Sequence, residues 1–346
     1  MKRFKIGKQL GDVSDETLRF YRQIGVEEVT MPSDYVTTVT ASRPMVPPAQ
    51  LRPVRTQPRA WTEGELARIR ARIEAFDLVP TAIGLPISAN IIHGRPDRDA
   101  DLEQICRSLE AAGQVGLSVA TYGFQALRAS EGYYLRPGEG RGGSDLRAFD
   151  AARIDGLPPL ESVGRISRGE IWENLTYFLE TVVPVAERAK LRLAGHFNDP
   201  PVTEFRGVGQ ALRSLADLTR LIEVVDSPAN SVFLDTGGLT EMGESAPEAI
   251  RFFGERDRIG TVHFRNVRVE IPYLRYTETF LEDGDCDVLA SARALADVGY
   301  TGLVDPDHTP GFSGDTTDHW IGWAYAIGQI IALRTAAYSR PANGAC

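Results

Sequence analysis

Three of the five histidines in this chain stand where a short apolar run ends. His196 closes LRLAGH, His263 closes IGTVH, and His308 follows GLVDPD. A fourth run, SVFLD, ends at Asp235 and opens into Thr236-Gly237-Gly238. Imidazoles and carboxylates at successive strand C-termini build metal sites at the mouth of a parallel barrel.

Each position has two readings. His196, in AGHFNDPPV, is a metal ligand or a histidine bonded to backbone, and Asn198 and Asp199 beside it are outer acceptors or turn residues. A carboxylate after four apolar residues needs a partner or an ion, so Asp235 is a ligand or the cap of the next turn. Strand alternation places Arg265 on the side of His263, where a guanidinium suits a substrate carboxylate or pairs with a neighbouring acid. Asn266 follows it as a candidate substrate contact. In VDPDHTPG one carboxylate binds metal and His308 handles protons; Asp307 is favoured over Asp305 because Pro306 resets the chain. Glu278 belongs to a mostly solvated acidic run but is close enough in sequence to reach the site. Tyr122 either faces the mouth as a substrate contact or belongs to a buried aromatic lining. His93 and His319 read as loop and surface histidines.

The set His196, Asp235, His263 and Asp307 fits a divalent ion, Mn²⁺ first, with Mg²⁺, Fe²⁺ or Zn²⁺ as alternatives. Neither a GxSxG elbow nor a phosphate-cradling P-loop is present, and no redox cofactor is implied.

Positioning these residues requires a regular scaffold. Apolar runs near 4–8, 26–31, 78–84, 117–122, 191–196, 231–235, 259–263 and 302–305 read as strands. Helical patterns near 14–24, 62–76, 98–114, 170–188, 209–224, 245–255, 286–298 and 319–335 follow them. Eight such alternations predict one (β/α)8 TIM barrel over residues 1–336. A doubly wound sheet is the alternative, but KIGKQLGDVSDE does not supply its GxGxxG turn. Long insertions near 33–61 and 130–168 follow strand C-termini, where lids and partner contacts form, and 337–346 reads as a disordered tail.

Composition bounds the function. A net charge of -9, with no acidic block, argues against nucleic acid or an anionic membrane as the main partner. No apolar run is long enough to span a bilayer, and MKRFKIGKQL lacks a signal-peptide core, so a cytoplasmic enzyme is expected. Cys106, Cys286 and Cys346 form neither a disulfide framework nor a zinc knuckle.

The segments LAGHFNDPP, VVDSPANSVFLDTGGLTEMG, TVHFRNVR, LEDGDCDV and VDPDH resemble those of mannonate dehydratase, in the family's order. AAGQVGLSVATYGF resembles its fourth-strand region, and the likeness covers most of the chain, weakly at the N-terminus and well from about residue 100 to 325. The resemblance implies a xylose isomerase-like TIM barrel that uses Mn²⁺ or a similar ion. It also implies removal of water from D-mannonate to give 2-keto-3-deoxy-D-gluconate. It places ligands at His196, Asp235, His263 and Asp307, with His308 as the adjacent proton carrier. This chain departs from the family at four places. Asp235 replaces a cysteine, Thr309-Pro310-Gly311 replaces a glycine, Gly123 replaces an asparagine, and Trp320 falls near a catalytic tyrosine. The expected activity is therefore dehydration of a sugar acid by a lyase. The alternatives are a metal-dependent sugar or keto-acid isomerase or epimerase, and a non-catalytic sugar-acid-binding paralogue. A small-molecule substrate and a homo-oligomer are the expected partners.

Overall fold

The computed structural model describes residues 2–32, 59–127, 130–270 and 274–339. The apolar runs pair side by side as β1 (Lys5–Gln9), β2 (Glu28–Met31), β3 (Val79–Gly84), β4 (Val119–Gly123), β5 (Arg192–His196), β6 (Asn230–Asp235), β7 (Ile259–His263) and β8 (Leu303–Asp305). Every pairing is parallel, and β8 returns to β1 to close an eight-stranded barrel. Closure leaves no edge strand, and the crossover helices cover the outside.

The outer helices follow local signals. Ser14 caps Asp15–Gln23. Thr62 with Glu65, and Ser167 with Glu170, form capping boxes at the starts of Glu63–Glu74 and Arg168–Arg188. The apolar stripe Leu175, Phe178, Leu179 and Val182 is fully buried against the barrel; each such side chain contributes about 1.5–3 kcal/mol. The helix expected over 209–224 starts instead at Leu215, capped by Ser214. The residues before it turn back at Gly207 (φ 79°) and pair Val208–Gly209 with Glu204–Phe205. The last helix, Trp320–Tyr338, runs past residue 336 because its end is anchored: the Tyr338 hydroxyl accepts from the Phe4 backbone at 3.2 Å. The expected loop at 33–58 and tail at 340–346 lie outside the described residues.

The insertion at 130–168 is not irregular. Tyr133–Arg136 and Leu146–Asp150 join Asn266–Glu270 and Arg275–Thr279 in a four-stranded antiparallel sheet. Tyr133 and Tyr276 both pair with Phe149, so alternation puts Tyr133, Arg147, Phe149, Tyr276 and Glu278 on one face. A bridge between Asp145 and Gly311 ties this sheet to the loop after β8. Among the described residues no helix is long and apolar enough to cross a membrane.

Candidate active site

Strand register decides which side chains share the barrel interior. Phe233 pairs with His196, Asp235 with His263, and His263 with Asp305. Residues paired in register point the same way, so His196, Asp235, His263 and Asp305 converge at the C-terminal mouth. Phe233 lies beneath, edge-on to both imidazoles at centroid distances of 4.9 and 4.3 Å.

Asp235 is the hub. Its Oδ1 accepts from the backbone of Gly238 at 2.7 Å, capping the short helix Thr236–Glu241. Its Oδ2 lies 3.8 Å from Nε2 of His196 and 3.7 Å from Nδ1 of His263. The cap and the site contact are thus made by the same side chain, one oxygen each. Gly237 and Gly238 are needed here for close approach. A Cβ on Gly238 would stand 1.9 Å from Phe197, and one on Gly237 would stand 2.8 Å from Arg265.

The three residues offer ligand atoms within 4.8 Å of one another, a group able to hold a metal ion. His196 donates from Nδ1 to the Phe197 carbonyl at 2.8 Å, which leaves the Nε2 lone pair facing Asp235. Nδ1 of His263 is buried and has no hydrogen-bond partner among the described residues. The separations of 3.7 and 3.8 Å are too long for hydrogen bonds. They are close to the spacing of two donors that share one ion at about 2.1 Å each. Asp307 stands at the rim, with Oδ2 3.7 Å from Nδ1 of His263, and is not part of the three-residue group.

The electrostatics of the site favour positive charge. Burial works against charge on His263, but Asp307, Asp305 and Asp235 outweigh it and raise the imidazole to about 9. A proton on His263 and a divalent ion answer the same excess of negative charge. Burial also opposes charge on Asp235 and Asp307. Arg265 with His196 and His263 holds the first carboxyl low, and His263, His308 and Arg265 hold the second low.

Arg265 is 2% exposed, and its guanidinium is committed to acids. It donates to Asp235 at 2.8 Å, to Glu241 at 2.6 Å and to Asp199 at 3.3 Å. The expectation that it anchors a substrate carboxylate does not match this geometry; its alternative, pairing with neighbouring acids, does. Asn266 is corrected too. Its amide donates to the carbonyls of Leu281 and Cys286, and its oxygen accepts from the Cys286 backbone, so its polar atoms fasten a loop. Tyr122 pairs with Gly195, while Gly123 pairs with His196, so Tyr122 lies on the opposite face from the site. It packs on Phe178 as aromatic lining.

His308 and Glu278 do meet at the mouth. His308 places Nδ1 2.9 Å from Glu278 and Nε2 3.2 Å from Asp307. Arg147 lies against the same ring, with Nη2 2.8 and 2.9 Å from its two nitrogens, and donates to Glu278 at 2.7 Å. Burial would raise Glu278, but Arg147 and His308 bring it down to about 2. Trp320 stacks on Phe20 at 4.4 Å, outside the site. Two tyrosine hydroxyls reach Asp199, a partner of Arg265: Tyr133 donates to it at 2.7 Å, and Tyr276 lies 2.9 Å from Tyr133. Arg147, Tyr133, Tyr276 and Glu241 were not anticipated from the sequence. The alternation in YYLR, LRAFD and RYTET is the signal that would have found the first three.

A closed parallel barrel with this cluster at its strand ends is a xylose isomerase-like TIM barrel. Its backbone superposes on a mannonate dehydratase from Streptococcus suis serotype 2 with TM-score 0.80, at 23% identity, over 100% of this chain and 97% of that one. It superposes on a xylose isomerase domain protein from Alicyclobacillus acidocaldarius with TM-score 0.60, at 16% identity, over 96% and 99%. The D-mannonate dehydratase (UxuA) family profile matches residues 145–339. The mannonate dehydratase of Enterococcus faecalis is 31% identical over 285 residues, spanning 72% of this chain and 78% of the relative. The chain belongs to the mannonate dehydratase family and is, by class, a hydro-lyase.

Proposed function

We propose that the chain removes water from an aldonate of the D-mannonate type to give a 2-keto-3-deoxy acid. A divalent ion, Mn²⁺ first, is held by His196, Asp235, His263 and Asp307. The observation that carries this reading is the convergence of His196, Asp235 and His263 at one point of the barrel mouth, with an unpartnered imidazole nitrogen aimed into it. When bound, the ion supplies Lewis-acid stabilisation for charge that develops next to the substrate carboxylate.

The chain's own residues do the rest. The C2–H bond breaks to a base, and its electron pair forms the C2–C3 double bond of the enol. The C3 hydroxyl leaves as water with a proton that His308 donates from Nε2 on the Asp307 side. Glu278 accepts from Nδ1 and fixes the tautomer. Arg147 lies against the ring and pairs with Glu278, which holds the imidazole in place. Arg265 keeps Asp235 ionised and aimed at the ion. Buried Phe149 and Tyr276, with half-buried Tyr133 packed on them, line one side with aromatic surface.

The test is to incubate Mn²⁺-loaded protein with a panel of aldonates and ketoses. A 2-keto-3-deoxy product is expected from an aldonate. An isomeric sugar as the only product would favour the epimerase reading, and binding with no product would favour a sugar-acid-binding paralogue.

A further inference from the structure

Asp305 ends β8 as the register partner of His263 and is 1% exposed. Its Oδ2 accepts from the backbone of Gln9 on β1 at 3.2 Å, which fixes the carboxylate. Its Oδ1 lies 3.8 Å from Nε2 of His263 and has no hydrogen-bond partner among the described residues. A buried carboxylate oxygen left unpaired is costly, so its placement needs a reason. His263 thus divides its two nitrogens between two sets of acids: Nδ1 faces Asp235 and Asp307, and Nε2 faces Asp305. Lys8, 5% exposed and bonded to the Pro306 carbonyl at 2.9 Å, supplies positive charge beside the carboxylate.

We propose that Asp305 is a positioning residue for the metal centre. Its negative charge facing Nε2 of His263 favours the ring hydrogen on that nitrogen and so keeps the Nδ1 lone pair for the ion. An outer carboxylate that fixes ring orientation and tautomer is a recurrent device at metal-bound histidines. Since 3.8 Å exceeds a hydrogen bond, the contact in this structure is Coulombic. The inference rests on the reading of His263 as a ligand.

Mn²⁺ binding, followed by the loss of the free-ion EPR signal, tests it. Asp305→Asn should bind Mn²⁺ about 10–100-fold more weakly than wild type. A melting temperature lowered without any change in Mn²⁺ affinity would show a merely structural role and overturn it. Wild-type protein that binds no Mn²⁺ would overturn the ligand reading itself, a different failure. Should Asp305→Asn not fold, ¹⁵N NMR of Zn²⁺-loaded wild type decides. A proton on Nε2 of His263 supports the proposal, and a proton on Nδ1 overturns it.

Discussion

Nε of Arg265 donates at 2.8 Å to Oδ2 of Asp235, the same oxygen that faces both imidazoles of the site. One guanidinium therefore sets the charge and direction of the central carboxylate, and its other nitrogens hold Glu241 and Asp199. Removing it leaves buried acids unpaired, because Asp235 and Glu241 are both inaccessible to water. Arg265→Ala should cost about 3–5 kcal/mol of stability, measured by urea unfolding. A loss under about 1 kcal/mol, the range of an exposed pair, would contradict this clamp.

His308 is predicted to act in proton transfer without holding the ion. His308→Gln should lower kcat by about 10²–10⁴-fold and leave Mn²⁺ affinity unchanged. Steady-state kinetics beside a Mn²⁺ titration separates the two effects. Loss of Mn²⁺ binding would move His308 into the ligand set.

Asn266 gives the opposite prediction. Its amide bonds only backbone groups of Val267, Leu281 and Cys286. Asn266→Ala should destabilise by about 1–3 kcal/mol, because buried backbone groups lose their partners. KM of the folded variant should be unaltered, as read from thermal unfolding and substrate saturation together. A raised KM with full stability would restore the substrate role.

The second half of the barrel was legible because its strands β5 to β8 end at histidine or aspartate. His196, Asp235 and His263 end the strands where expected. The side sheet was hidden by distance and composition. Phe149 pairs with Tyr276 across more than a hundred residues, and the Gly-rich stretch RPGEGRGGSD reads locally as loop. Residue type also does not reveal a side chain's partners. Arg265 carries a charge suited to a carboxylate, and only the folded chain shows that acids of its own occupy it. For Tyr122 the deciding quantity was strand register, which a one-residue shift reverses.

The contact between the side sheet's far end and the last helix should respond to acid. Burial pushes Glu282 up, but bonds from Tyr325, Gln329 and Arg141 outweigh it and hold the carboxyl at about 2. A carboxyl lowered by folding stabilises the protein above its unfolded value, about 4.3. That contribution fades as pH falls from there toward the folded value. Wild type should therefore exceed Glu282→Gln in stability at neutral pH, and the gap should narrow below about pH 4. Denaturant midpoints across pH check this; a gap constant down to pH 3 would contradict it.

In the proposed reaction a divalent ion held by His196, Asp235, His263 and Asp307 enables dehydration of a sugar acid. The most direct measurement is the rate of 2-keto-3-deoxy acid formation from D-mannonate by native, chelator-treated and Mn²⁺-restored protein. Formation should stop on chelation and return with Mn²⁺. A rate unaffected by complete metal removal would contradict the account.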